Sequence, residues 1–471
     1  MNELRLHPDR LLPPEPSVRA IARDLYATVA EAPIVSPHGH VDPRLLLDDE
    51  PFADPAALFV TPDHYVTRML HAVGVPLSDL GVRRVDGSGP AADPRRVWRL
   101  FCEHWPVLAG TPSRQWLTDA LVNVFGVTSV PSAATADSLY DEIAARLAEP
   151  EFRPRALFQR FRVDVLATTD DPCSDLAAHR ALREDPSWAG RVVPTFRPDA
   201  YLEAGSPGWS ARVDLLAAAS DTDTSSYDGF LAALENRRRF FLDNGATATD
   251  SGHVDATMEP LTHDVASRLF NEARVGVITP AEAVALRRHL LFEMARMSAE
   301  DGLAMALHPG VLRGHHGPTL ESFGPDTGHD IPVSTEFTRA LRPALERFGT
   351  AEHFRLVLFT VDETTFSREL APLAGFYPSV YVGAPWWFLD TPGAMRRFRE
   401  AVTDSAGFAK TAGFVDDTRA FCSIPARHDV ARRVDAGYLA TLVAEHRLDE
   451  AEAAEMLQAT VSRLPREAFK L

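Results

Sequence analysis

Pro33-Ile-Val-Ser-Pro-His-Gly-His40, followed by Val41-Asp-Pro43, decides the reading of this chain. A short apolar run ends in two imidazoles one residue apart. In an extended strand, residues i and i+2 point to the same side, so His38 and His40 can converge on one ion. An open doubly wound sheet would want a glycine-rich phosphate turn after its first strand, and His-Gly-His-Val-Asp-Pro is no such turn.

Outward from this strand, further apolar or β-branched runs alternate with helical stretches. They fall at 163–169 (VDVLATT), 191–197 (RVVPTFR), 245–250 (GATATD), 303–309 (LAMALHP), 355–361 (RLVLFTV), 380–386 (VYVGAPW) and 413–417 (GFVDD), which with 33–40 makes eight. Near-continuous apolar strands, each followed by a crossover helix, indicate a parallel sheet, and eight fit an α/β fold of the (β/α)8 TIM-barrel type. Between the first two strands, helical periodicity recurs at 58–73, 96–105, 114–125 and 136–147, separated by breaks such as Asp86-Gly-Ser-Gly-Pro90. We therefore expect three parts: 1–44 with an N-terminal helix and strand one, a helical insertion over 45–160, and the rest of the barrel with C-terminal helices over 161–471. Ser17 is the expected cap of the N-terminal helix, in which Val18, Ile21, Leu25 and Val29 share a face.

The chain has 48 basic against 66 acidic residues, a net charge of −18. That balance disfavours nonspecific nucleic-acid binding and offers no basic stripe to a membrane, so an anionic small-molecule substrate would have to be held by specific arginines. Cys102, Cys173 and Cys422 are too few and too scattered for a disulfide framework or a cysteine zinc site, which fits a reducing cytoplasm. No apolar core of a signal peptide opens the chain and no run reaches the length of a membrane span. A homo-oligomer is left open.

In a barrel the chemistry sits at the C-terminal ends of the strands. Those ends carry His38 and His40, Thr169 with Asp170 and Asp171, Arg197, Asp250, His308, Asp362, Trp386 with Trp387, and Asp417 with Arg419. Asp417 ends strand eight, beside strand one in a closed barrel, so its carboxylate can reach an ion held by the two histidines. Two imidazoles and one carboxylate with open positions suit Zn²⁺, Mn²⁺ or another divalent ion. Taken alone, Asp416-Asp417 reads as a polar loop. His308 can be read as a fourth ligand, an acid or base, or a donor to substrate. Strand four offers no lysine and strand six no histidine, which favours one metal over two. Arg197 and Arg419 are candidates to fork a substrate carboxylate, although either alone is more often a surface ion pair. His64 and Tyr65 open the insertion and can reach over the mouth, or are helix N-terminal groups of no special role; Trp386 and Trp387 read as core or pocket wall, where an aromatic face suits a sugar's C–H surface. The 313–332 connection is too long for a plain loop and is a candidate lid, the alternative being that its histidines are solvent-exposed filler.

These residues, with Phe196-Arg-Pro-Asp199, Leu307-His-Pro-Gly310, Trp386-Trp-Phe388, Asp417-Thr-Arg-Ala-Phe421, Thr61-Pro-Asp-His-Tyr-Val-Thr-Arg-Met-Leu70 and Thr111-Pro-Ser-Arg-Gln-Trp-Leu117, resemble the uronate isomerase family of the amidohydrolase superfamily. The likeness runs over nearly the whole chain from Leu6-His-Pro-Asp-Arg10. It implies one divalent ion, Zn²⁺ first, on His38, His40 and Asp417, with Arg197, Arg419, His64 and Tyr65 around the substrate; His308 and Trp387 complete the expected substrate wall. It also implies aldose–ketose isomerisation of hexuronates, D-glucuronate to D-fructuronate and D-galacturonate to D-tagaturonate, through a cis-enediol in uronate catabolism. Asp417 would be the base, relayed through a substrate hydroxyl because a nearby cation lowers its pKa; Tyr65, His64 and Arg419 would serve the reacting oxygens and the carboxylate. Two loops depart from the family pattern, Asp250-Ser-Gly-His253 and Arg313-Gly-His-His316, and leave the preferred epimer open. The rival readings are a mononuclear metal-dependent hydrolase of a sugar-acid lactone or amide, and an inert sugar-acid binding protein.

Overall fold

The computed structural model describes residues 3–89 and 91–471. Its strands are β1 (Ile34–Ser36), β2 (Val163–Ala167), β3 (Arg191–Val193), β4 (Thr195–Phe196), β5 (Ala248–Ser251), β6 (Ala304–Leu307), β7 (Val311–Leu312), β8 (Ile331–Pro332), β9 (Leu356–Leu358) and β10 (Val380–Val382). All pair in parallel with their neighbours except β7 and β8, which form a small antiparallel ribbon. The parallel ladder follows chain order: Val35 lies opposite Val165, Val165 opposite Arg191, Thr195 opposite Ala248, Ala248 opposite Ala304, Met305 opposite Leu356, and Leu356 opposite Val380. Strand residues such as Val165, Leu166, Met305, Val357 and Val380 are fully buried, as expected where both faces of a parallel sheet are covered.

Two staves differ from expectation. The third is broken at Pro194, which has no N–H to give to a ladder, so β3 pairs with β2 while β4 pairs with β5. The eighth, expected over 413–417, is not a strand. One parallel bridge joins Thr411 to Val382, and the Ala412 N–H donates to the Val382 carbonyl at 2.9 Å. Gly413 then takes φ +73° where an added Cβ would lie 2.8 Å from the Thr460 carbonyl, and Asp417 takes φ +44°. Left-handed residues cannot continue an extended ladder. The stave still closes the (β/α)8 ring, because the His40 N–H donates to the Thr418 carbonyl at 3.0 Å.

Among the described residues, every element between β1 and β2 is helical. The 136–147 expectation is met by Ala136–Leu147. The 58–73 expectation divides into Pro55–Phe59 and His64–Ala72, because the Asp63 carboxylate accepts from the Tyr65 N–H at 2.9 Å and starts a new helix. That cap sets His64 and Tyr65 in its first turn. The apolar faces of this region, with Trp98, Phe101, Trp105 and Ile143, share a core with Ile34, Val163 and Leu166 of the first strands. At the N-terminus, helix Pro16–Ala27 is capped by the Glu15 carboxylate on the Val18 N–H at 2.7 Å, not by Ser17. Ala22, Leu25 and Val29 pack against Leu439, Leu442 and Val443 of Ile424–Ala444. No described helix is long and apolar enough to cross a membrane.

Candidate functional site

A cavity of about 740 Å³ opens at the C-terminal ends of the strands and gathers His38, His40, His64, Tyr65, Arg197, His308, Trp386, Trp387, Asp417 and Arg419 on one wall system. Its floor is built from strand ends. His38 and His40 follow β1, and the Thr169 hydroxyl, at the end of stave two, donates to the intervening Gly39 carbonyl at 2.9 Å. Asp417 is turned toward them by its left-handed backbone, a conformation costing about 1–3 kcal/mol that persists only where surroundings enforce it. Its neighbour Asp416 supplies that enforcement: it is buried, with Oδ2 3.1 Å from His428 Nε2, and its carbonyl accepts from Arg427 Nη1 at 3.2 Å.

His38 Nε2 lies 3.2 Å and His40 Nε2 3.0 Å from Asp417 Oδ1. Ligand atoms of the three residues all lie within 4.8 Å of one another, and Asp417 Oδ1 is buried without an aligned hydrogen-bond partner. Burial disfavours charge on His38, but the Asp250 and Asp417 carboxylates outweigh it and lift its pKa to about 9; at His40 burial prevails and lowers it. Burial would raise Asp417, yet contacts from His38 and His40 hold its carboxyl well below the usual range. The triad therefore stabilises a positive charge at one point, and two imidazoles with a carboxylate oxygen are a donor set that fits a divalent cation with open positions.

Beneath the triad, Asp250 is fully buried. Its Oδ1 lies 2.7 Å from His308 Nε2, at an angle that is not a hydrogen bond, and 3.9 Å from His38 Nδ1; its Oδ2 lies 3.2 Å from Arg197 Nη1. Burial alone would raise its pKa, but His308, His38 and Arg197 hold the carboxyl far below the usual range. Arg197 also binds Asp199 through Nε at 3.1 Å. His253, whose place in the family-divergent loop gave it no role in the sequence, bridges Glu203 at 2.8 Å and Asp199 at 3.5 Å. Gly252 beside it is required by close approach, since a Cβ there would meet the His308 ring at 2.3 Å.

The rim is built by the helical region and the 313–332 connection. His64 stacks on Tyr65 with centroids 5.1 Å apart and meets Trp387 edge-on at 5.8 Å. The connection is structured, with the β7–β8 ribbon at its root and a helix at Gly317–Phe323. Buried Asp330 accepts from the Gly314 N–H at 2.7 Å and from Arg313 Nη1 at 3.0 Å. Asp326, near its tip, pairs with Arg419 Nη2 at 3.0 Å. Neither arginine expected to take a substrate anion is thus free of a carboxylate. Asp170, Asp171 and Asp362 do not join the cavity: Asp170 accepts from the Thr168 hydroxyl, Asp171 from the Tyr201 hydroxyl, and Asp362 from the Thr364 N–H.

Sequence reasoning missed Asp199, Glu203, Asp326, Asp390 and Arg427. Asp199 stood inside the quoted Phe-Arg-Pro-Asp run and Asp326 inside the long connection, so both had a weak signal. Asp390 reads as part of the Asp-Thr-Pro start of helix Pro392–Ala406, and Arg427 as one more arginine of Ile424–Ala444. Nothing in the pattern joins them.

The sequence profile of the glucuronate isomerase family matches residues 17–464. The uronate isomerase of Corynebacterium efficiens is 48% identical over 466 residues, spanning 99% of this chain and 98% of that protein. That of Rhizorhabdus wittichii is 50% identical over 468 residues and 99% of each. The crystal structure of glucuronate isomerase from Caulobacter crescentus superposes with a TM-score of 0.97 at 47% identity, covering 100% of this chain and 98% of that one.

Proposed function

The chain belongs to the glucuronate isomerase family, and from that premise we propose that it interconverts the aldose and ketose forms of hexuronates, D-glucuronate with D-fructuronate and D-galacturonate with D-tagaturonate. The observation that carries this reading is the meeting on one cavity of the His38, His40 and Asp417 donor set with Arg419 and Arg197. We take 45–160 as the insertion that brings His64 and Tyr65 to that cavity. Three unpaired cysteines support a reducing cytoplasm as its compartment.

The reaction moves a proton from C2 to C1 and a second proton from the C2 hydroxyl to the C1 carbonyl oxygen, through a cis-enediol carrying developing negative charge. A single divalent cation, Zn²⁺ before Mn²⁺, held by His38 Nε2, His40 Nε2 and Asp417 Oδ1, would supply Lewis-acid stabilisation of that charge. Arg419 binds the substrate carboxylate, exchanging its Asp326 partner for the ligand. Arg197, fixed by Asp199 and Asp250, presents a rigid cationic wall that also orients His308 through Asp250. Asp417 takes the C2 proton by way of a substrate hydroxyl, because a depressed carboxylate is a weak base on carbon. Tyr65 and His64 serve the C1 and C2 oxygens, and Trp387 packs on the sugar's C–H face.

NMR of glucuronate and galacturonate in D₂O with the metal-loaded protein tests the reading. We expect ketose signals with deuterium at the migrating position. Unchanged uronates alongside a hydrolysed lactone or amide would replace it with the hydrolase, and binding without turnover with a sugar-acid binding protein.

A further inference from the structure

Behind Tyr65, away from the strand-end floor, lies a buried cluster with no part in the chemistry above. The Tyr65 hydroxyl donates to Asp390 Oδ2 at 3.1 Å, and Arg427 Nη1 lies 3.4 Å from the same oxygen. The Asp390 and Arg427 side chains are 7% and 2% exposed. The Arg427 guanidinium sits 3.7 Å from the Trp116 ring centroid and 5.2 Å from that of Tyr65. Asp390 Oδ1 is buried with no partner at all. Tyr65 and Arg427 line the cavity, while Asp390 stands one residue deeper.

A purely structural ion pair would join the loop after stave seven to helix Ile424–Ala444. Such a pair gives little net stability once both charges are desolvated, and apolar packing does the same work. It also needs no tyrosine hydroxyl and leaves no carboxylate oxygen spare. A hydroxyl on a cavity-lining tyrosine and a buried acid that accepts from it are the parts of a relay.

We propose that Asp390 is the positioning residue through which Tyr65 acts, fixing the phenol with its O–H turned from the cavity and taking that proton when the phenol oxygen receives one from a substrate hydroxyl. The step balances within the chain. A substrate O–H bond breaks and a Tyr65 O–H bond forms; the original Tyr65 O–H bond breaks and an Asp390 O–H bond forms; the return delivers the proton to the other substrate oxygen. Tyr65 itself never ionises, consistent with burial pushing its phenol well above the ordinary tyrosine range. A group so weakly acidic has to lose one proton as it gains another. Burial also lifts the Asp390 carboxyl to about 7 against the pull of Arg427 and the Tyr65 hydrogen bond, where a carboxyl can hold or release a proton near neutrality.

The inference rests on the proposed role of Tyr65 at the substrate oxygens, and a double-mutant cycle in the metal-loaded enzyme separates the two. Asp390→Asn is expected to lower kcat roughly 10- to 100-fold with KM within about twofold and metal content unchanged, while the melting temperature falls because Arg427 stays buried without its carboxylate. Tyr65→Phe is expected to lose at least as much, and the double variant no more than Tyr65→Phe alone, because residues acting as one unit are not additive. Asp390→Glu, which retains a displaced carboxyl, should recover part of kcat; if Asp390→Asn does not accumulate, this variant carries the cycle with the same non-additivity. Losses that multiply in the double variant overturn the relay and leave Tyr65's role intact. Wild-type kcat in Tyr65→Phe overturns both.

Discussion

The floor and the rim of the cavity use the same pair of residue types, aspartate and arginine, in opposite settings. On the floor, Asp250 has a side chain 1% exposed and meets Arg197, which in turn holds Asp199. On the rim, Asp326 and Arg419 are 47% and 38% exposed and hold one another by a single contact. A buried charge that loses its partner is costly to leave behind, by about 3–5 kcal/mol, whereas an exposed pair contributes about 0–1 kcal/mol. The floor is therefore rigid by necessity, and the rim can trade partners. That division suits the proposed site, which would hold one cation in place while accepting and releasing a carboxylate.

The sharpest way to break the comparison is to remove a floor group. Asp417→Asn keeps the shape but removes the anionic donor on which His38 and His40 converge. Turnover should fall on the order of 10³-fold, with loss of bound divalent metal by elemental analysis. Normal turnover with metal still bound would show that Asp417 is neither ligand nor base. The rim should answer differently. Arg419→Lys keeps charge but loses the planar fork, costing about 1.5–3 kcal/mol of carboxylate binding, or roughly 10- to 100-fold. The loss should appear in KM for uronates, with metal content unchanged. A kcat effect at constant KM would instead place Arg419 at the reacting oxygens.

The same division explains how much could be read from the sequence. Seven staves were legible because a strand buried on both faces leaves a nearly continuous apolar run, as in Val163–Ala167 and Ala304–Leu307. The eighth was legible as a position and not as a conformation: Phe414 and Val415 look like strand, but Gly413 and Asp417 adopt left-handed backbone that no alternation pattern encodes. His38 and His40 could be paired by reading 33–40 as one strand of period two; β1 ends at Ser36, short of both, and the chain beyond it still brings the two rings to Asp417. Their convergence with Asp417 was inferable only from ring closure. The pairing of Asp390 with Tyr65 and Arg427 joins residues 325 and 37 positions apart, and neither separation carries a periodic signal. Arg197 and Arg419 were recognised by type, yet sequence could not show that each already holds a carboxylate of the chain. One-residue signals name candidates, and long-range packing decides what each is free to do.

The smallest effect tests whether the rim pair is truly exchangeable. If Asp326 occupies Arg419 until a substrate carboxylate replaces it, breaking that contact is part of every binding event. Asp326→Ala removes the competitor. For an exposed pair worth about 0.5–1 kcal/mol, KM for glucuronate should fall by roughly two- to fivefold with kcat unchanged. Raising ionic strength should weaken the wild-type pair by screening and narrow the gap between the two proteins. A KM that rises in Asp326→Ala would mean that Asp326 serves the site by anchoring the 313–332 connection over bound substrate. Arg313, 3.7 Å from Asp326 Oδ1 and 3.0 Å from Asp330 Oδ2, keeps its Asp330 anchor in the variant, so the root of that connection should hold while its tip loses the Arg419 contact. The sign of a modest KM change thus separates a placeholder from a latch.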